Sequence, residues 1–105
     1  MYVDVGFSNY VEANKIVTIS RPDSSPIRRM AQKAKEEGRY IDLTQGKKTR
    51  SVIVSSDQKG TIIIGSAVQT STIISRLDRA RAKYDSASIG EIKTLELIGE
   101  GSSEQ

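Results

Sequence analysis

The chain has 105 residues, of which 36% are hydrophobic and 5% aromatic, with no Trp and a formal net charge of +3 at pH 7. At that length one small domain with a modest aliphatic core is the simplest organisation, and oligomerisation adds burial that so small a domain lacks. Neither Cys nor His is present, which excludes disulfides, thiolate nucleophiles, imidazole bases and the usual structural zinc sites.

Val3, Val5 and Phe7 alternate with Asp4 and Gly6, the period-two pattern of a half-buried strand. Phe7, the only Phe, is expected in the core, and Ser8-Asn9 reads as a turn or bulge. The β-branched run 15–20 reads as a second strand, stopped by Arg21-Pro22-Asp23 because proline cannot donate to a ladder. A helix follows: Ser24 or Ser25 caps it, Pro26 suits its first position and Gly38 its exit. Its apolar stripe is Ile27, Met30, Ala31 and Ala34, and the two alanines let it approach a sheet closely.

Residues 39–43 read as a short strand, ending in the turn Gln45-Gly46-Lys47-Lys48-Thr49-Arg50. Strands 51–55 and 61–65 flank a hairpin connection at 57–60, and their continuous apolar runs predict burial on both faces. Thr70 or Ser71 caps a second helix over roughly 72–84, with Ile73, Ile74, Leu77, Ala80 and Tyr84 on one face. The order ββαβββα is that of a small α+β domain with a mixed or antiparallel sheet and two helices, over residues 1–84. Residues 85–105 form an acidic, partly disordered tail; its end, 99–105, reads as disordered. Ile89, Ile92, Leu95, Leu97 and Ile98 leave open a short docking element there. No apolar run reaches the length of a membrane span, and the N-terminus lacks a signal-peptide layout. A cytoplasmic protein without membrane partner is expected.

Charge is unevenly distributed. Residues 1–14 carry −2, residues 15–50 carry +6 and residues 51–105 carry −1. A concentrated basic block is the footprint of a nucleic-acid or anionic-surface partner, against the alternative of a solvated helix face and loop. Within it, Lys47, Lys48 and Arg50 project from a strand-end turn, and Lys15, at a strand start, is expected near them. The Gly46-Lys47 pair fails as a phosphate-binding loop, because the required earlier Gly is Ile41 and the turn leads into a strand. Asp4, Asp42 and Asp57 form no converging carboxylate pair; Asp42 suits a turn or ion-pair role equally. An enzyme is not expected, nor a catalytic residue, metal, cofactor or small-molecule substrate.

The runs Val5-Gly6-Phe7-Ser8-Asn9, Ala13-Asn14-Lys15, Pro26-Ile27-Arg28-Arg29-Met30, Ile41-Asp42, Gly46-Lys47-Lys48-Thr49-Arg50 and Ser66-Ala67-Val68-Gln69 resemble the RemA family of bacterial extracellular matrix regulators, in order and over about residues 3–77. The resemblance implies a DNA-binding transcriptional regulator of matrix and osmoprotection genes. It also implies a LytTR-like subunit in a ring-shaped homo-oligomer, associated with the nucleoid, around which duplex DNA bends. The family's DNA-binding arginines fall on Lys15, Lys47 and Lys48. All three are lysines here, which keep the charge and lose the fork that reads guanine. Arg50 retains a guanidinium, and Arg28 and Arg29 are further candidates that face DNA, solvent or a neighbouring subunit. Two other readings remain: an RNA or single-strand binder using Tyr10, Tyr40 or Tyr84 for stacking, and a structural oligomer whose basic face meets an acidic partner or anionic lipid.

Overall fold

The computed structural model of the protein describes the backbone of residues 1–97 and the side chains of residues 1–83. The elements run β1 (Tyr2–Asp4), β2 (Tyr10–Glu12), a 3-10 turn (Ala13–Lys15), β3 (Ile16–Ser20), α1 (Ser25–Glu36), β4 (Tyr40–Asp42), β5 (Ser51–Asp57), β6 (Gly60–Ser66) and α2 (Thr70–Leu97). The class is α+β, as expected, with one strand more than the sequence pattern suggests. That strand is β2, three residues long, and it pairs antiparallel with β1 in a small sheet of its own.

The expected first strand stops short of Phe7. Gly6, Phe7 and Ser8 all have positive φ (108°, 52° and 62°) and reverse the chain, so Phe7 is 44% exposed rather than in the core. The Asp4 carboxylate accepts from the Gly6 N–H at 2.8 Å, and the Val5 N–H donates to the Asn9 carbonyl at 2.9 Å. Gly6 is required twice over. Its φ disfavours a side chain, and a Cβ would stand 2.9 Å from Val68 Cγ2.

The main sheet has the order β3-β5-β6-β4, antiparallel except for the parallel pair β4/β6. Central strands β5 and β6 are buried on both faces at Val52, Ile53, Val54, Ile63 and Ile64, where their sequences are continuously apolar, whereas Ile62 is 41% exposed. Ile53 and Ile64 face a core completed by Val3, Val5, Val11, Ile73 and Leu77 from the β1/β2 hairpin and α2. Val52, Val54 and Ile63 face the opposite side and pack under Ile27 and Ala34 of α1. The result is three layers: α1, the sheet, and the hairpin with α2.

Helix α1 begins where its sequence says. The Ser24 hydroxyl caps the Ile27 N–H at 3.4 Å, Pro26 lies in the first turn, and Gly38 exits at φ 72°. Met30 departs from the expected stripe and is exposed, since the contact is narrow enough for Ile27, Ala31 and Ala34 to fill. Ile74 of α2 is likewise exposed. Helix α2 starts at Thr70 and continues to Leu97, past the expected end near residue 84. The expected disorder of 99–105 lies outside the described residues. Among those described, no helix is long and apolar enough to cross a membrane.

Candidate nucleic-acid interface

Strand directions decide which side chains meet. Strand β3 ends with Ser20 opposite Val52, β5 starts with Ser51 opposite Ser66, and β4 ends with Asp42 opposite Gly65. The loop 21–24, the loop 43–50 and the link 67–69 therefore gather at one end of the main sheet. Both helices also start there, at Ser25 and Thr70, and neither has an acidic residue in its first turn. Helix N-termini carry the positive end of the macrodipole, so the two helices add to the potential at that end. Arg21, Arg28, Arg29, Lys47, Lys48 and Arg50 belong to these loops and the opening of α1.

The basic turn is held by its own sequence. Asp42 Oδ1 accepts from the Thr44 N–H at 2.9 Å and from the Thr44 hydroxyl at 2.6 Å, and Thr44 is buried. These bonds hold the Asp42 carboxyl below the usual aspartate range. Gln45 and Gly46 follow with φ of 51° and 82°, and the Lys47 N–H closes the turn on the Thr44 carbonyl at 3.0 Å. Two consecutive positive φ values mark a type I′ turn, for which Gly is the favoured second central residue. Asp42 is thus a turn residue, one of the two roles its sequence context allows.

Arg50 is fixed from behind. Its N–H donates to the Ser66 carbonyl at 2.8 Å. The Ser51 hydroxyl donates to the Val68 carbonyl, the Ser66 hydroxyl to the Val5 carbonyl at 2.7 Å, and the Val68 N–H to the Ser66 hydroxyl at 3.0 Å. Ser51 and Ser66 are fully buried, so the network ties the start of β5 and the link into α2 to a rigid base.

A cleft of about 390 Å³ opens between these segments, with Arg21, Asp23, Lys48, Arg50, Gln69 and Thr70 on its walls. Lys47, Lys48 and Arg50 have no carboxylate within 4.0 Å among the described residues, whereas Arg21 pairs with Asp23 at 3.0 Å. Arg28 donates to the Asp23 main-chain carbonyl at 2.9 Å and braces that loop. Arg29 is exposed on the first turns of α1. Arg21, whose sequence context marks only the end of a strand, joins the cleft as an additional cation. Its place in the basic block was the available signal.

Lys15 is not part of this group. It precedes Ile16, which pairs with Ser55, and its ammonium lies 3.8 Å from Asp57 at the far end of β5. Six residues of strand, about 20 Å, separate that end from the basic turn, so the expected adjacency does not hold within one chain. The neighbouring Glu12 accepts from the Asn14 N–H at 2.7 Å and from the N-terminal ammonium at 3.2 Å, and the first of these chiefly keeps its carboxyl low. Arg39, also at the far end, is committed to Glu37 and to the Thr61 carbonyl at 2.9 Å.

The aromatics divide in a similar way. Tyr40 is half-buried, packed against the α1 core, with Lys35 4.8 Å above its ring centroid. Burial pushes its phenol up. Tyr10 lies beside Tyr2 in a separate groove bordered by Arg76, Arg79 and Lys83. Nothing is described of the Tyr84 side chain.

These features define a small three-layer α+β protein with a basic loop surface at one end of its sheet. Residues 2–77 match the family model described as RemA-like, extracellular matrix regulatory protein A-like, and the chain belongs to that family. A relative in Bacillus cereus is 56% identical over 98 residues, covering 91% of this chain and 92% of the relative. One in Nitratidesulfovibrio vulgaris is 48% identical over 71 residues (68% and 79%), and one in Coprothermobacter proteolyticus 46% over 77 residues (73% and 70%). All three are named "Putative regulatory protein". Family and names together support a regulatory role.

Proposed function

We propose that this protein is a transcriptional regulator that binds duplex DNA through the basic end of its sheet, repeated around a ring-shaped homo-oligomer in the bacterial cytoplasm. The observation that carries this reading is the gathering of six Lys and Arg residues with two helix N-termini at one end. The two nearby carboxylates are each engaged internally, Asp23 by Arg21 and Asp42 by Thr44. Such a surface binds by releasing counterions from phosphates. Lys47 and Lys48 are point charges, which hold a backbone, whereas Arg50 keeps the fork that can engage a base edge. Discrimination between sites then falls largely to DNA bendability. Matrix and osmoprotection genes are the targets that the family resemblance suggests. Lys15 contributes a second grip, about 20 Å along the same duplex or supplied by the adjoining subunit.

The test is a salt series of duplex binding. Each neutralised phosphate contributes about 0.9 to the slope of log K against log salt. A Lys47→Ala, Lys48→Ala double variant should keep the oligomeric mass of the parent and lose up to about 2 from that slope per engaged subunit. An unchanged slope removes these lysines from the site.

One observation favours a second reading. Tyr2 and Tyr10 are 68% and 60% exposed and border a groove of about 600 Å³ beside Arg76, Arg79 and Lys83. Exposed rings next to cations suit stacking of unpaired bases. Competition between duplex DNA and single strands of equal length separates the two.

A further inference from the structure

We infer that the cleft between the 21–24 loop and the basic turn is a seat for one backbone phosphate, with Arg21 as a contact residue and Asp23 as its built-in competitor. The inference rests on the duplex-binding reading above and deepens it. Lys48 and Arg50 line one wall and Arg21 the other, so the three cations come from two segments brought together only by the β3/β5 pairing. The space, about 390 Å³, equals the liquid volume of roughly a dozen waters. A phosphodiester with part of its hydration fits there.

Both walls are braced. The Arg50 main chain is bonded to Ser66 at 2.8 Å, and Arg28 holds the Asp23 carbonyl at 2.9 Å. The Arg21 side chain itself is 75% exposed, and its guanidinium is occupied by the Asp23 carboxylate at 3.0 Å. A phosphate entering the cleft meets Lys48 and Arg50 as well and takes over that guanidinium, since the solvent-exposed ion pair it replaces is worth little. Asp23 is then left to water, at little cost because it too is exposed. Asp23 thus weakens phosphate binding in proportion to the strength of its pair with Arg21.

The prediction is directional at both residues. Arg21→Ala should flatten the salt slope for a short mixed-sequence duplex by about 0.9 per engaged subunit, with the melting temperature and oligomeric mass of the parent. Arg21→Lys should restore most of the slope. Asp23→Asn should tighten binding about 1.5- to 5-fold, the range an exposed ion pair commands, and that gain should vanish in the Arg21→Ala background. An equal gain from Asp23→Asn without Arg21 means a bulk charge effect and overturns the competitor role. If Arg21→Ala leaves the slope intact while the Lys47, Lys48 double variant flattens it, the seat is wrong and duplex binding stands. If neither variant changes the slope, the underlying duplex reading fails as well. A change of oligomeric mass in Arg21→Ala overturns the seat in favour of a subunit contact.

Discussion

Asp42 shows how one short side chain governs the charged surface without touching a partner. Its carboxylate satisfies two donors of Thr44, and the reverse turn that follows sets the direction in which Lys47 and Lys48 leave the chain. Because its pKa is lowered by folding, Asp42 stabilises the native state above the ordinary aspartate value of about 3.9. That contribution is lost as pH falls through the lowered value. Amide exchange at Lys47, whose N–H closes the turn on Thr44, should therefore quicken in Asp42→Ala at neutral pH. Asp42→Asn, which keeps an acceptor oxygen, should lie between it and the parent. Equal exchange in all three variants would remove Asp42 from the support of the turn. Lys15, Lys47 and Lys48 belong to the same scale: a lysine offers charge without a planar fork, so under the proposed duplex reading their contacts are expected to be insensitive to base sequence.

Among the elements, α1 combines packing with positioning. Its narrow face of Ile27, Ala31 and Ala34 lies on Val52, Val54 and Ile63, while its start aims Arg28 at the 21–24 loop. Ser24 secures that start through the Ile27 N–H. Ser24→Ala should cost up to about 1 kcal/mol, a fall in melting temperature of roughly 4–8 °C for a domain of this size, readable by circular dichroism. No change would show that Pro26 and the Arg28 bond hold the helix start without the cap. The two outer strands of the main sheet differ from the central pair. Edge strand β3 carries a register irregularity between Ile16 and Thr18, and its Val17 is exposed. Edge strand β4 is only three residues long, with Ile41 exposed. Short or irregular edges resist indiscriminate strand pairing.

At the scale of the whole molecule, the fold gathers the basic loops at one end of the strand axis. The basic end holds both helix starts and, among the described residues, Lys47, Lys48 and Arg50 without a carboxylate within 4.0 Å. At the opposite end, among the same residues, Lys15 and Arg39 are each matched by a carboxylate and Lys59 of the β5/β6 turn is not. A single subunit with a handful of phosphate contacts binds weakly, and a symmetric assembly multiplies those contacts by avidity. Phe7, Val17, Ile41 and Ile62 are exposed, apolar surface of the kind the proposed assembly would cover. Native mass measurement should give a closed multiple of the 11.5 kDa chain, with or without duplex. A strict monomer under both conditions would count against the ring.

Much of this protein follows from sequence alone. The capped start and glycine exit of α1, the doubly buried strands β5 and β6 and the basic turn are all local consequences of residue type, since capping, turn chemistry and side-chain period act over a few residues. Phe7 and Met30 lie outside the core because an apolar residue in register with a stripe is buried only if another element covers it. The extra strand β2 was invisible because three residues carry too little pattern. Only tertiary structure decided the composition of the basic end. The antiparallel pairing of β3 with β5 sends Lys15 to the far end and brings Arg21, which reads as a mere strand stop, across the cleft from Lys48 and Arg50. Strand direction is a long-range property, and no local spacing encodes it.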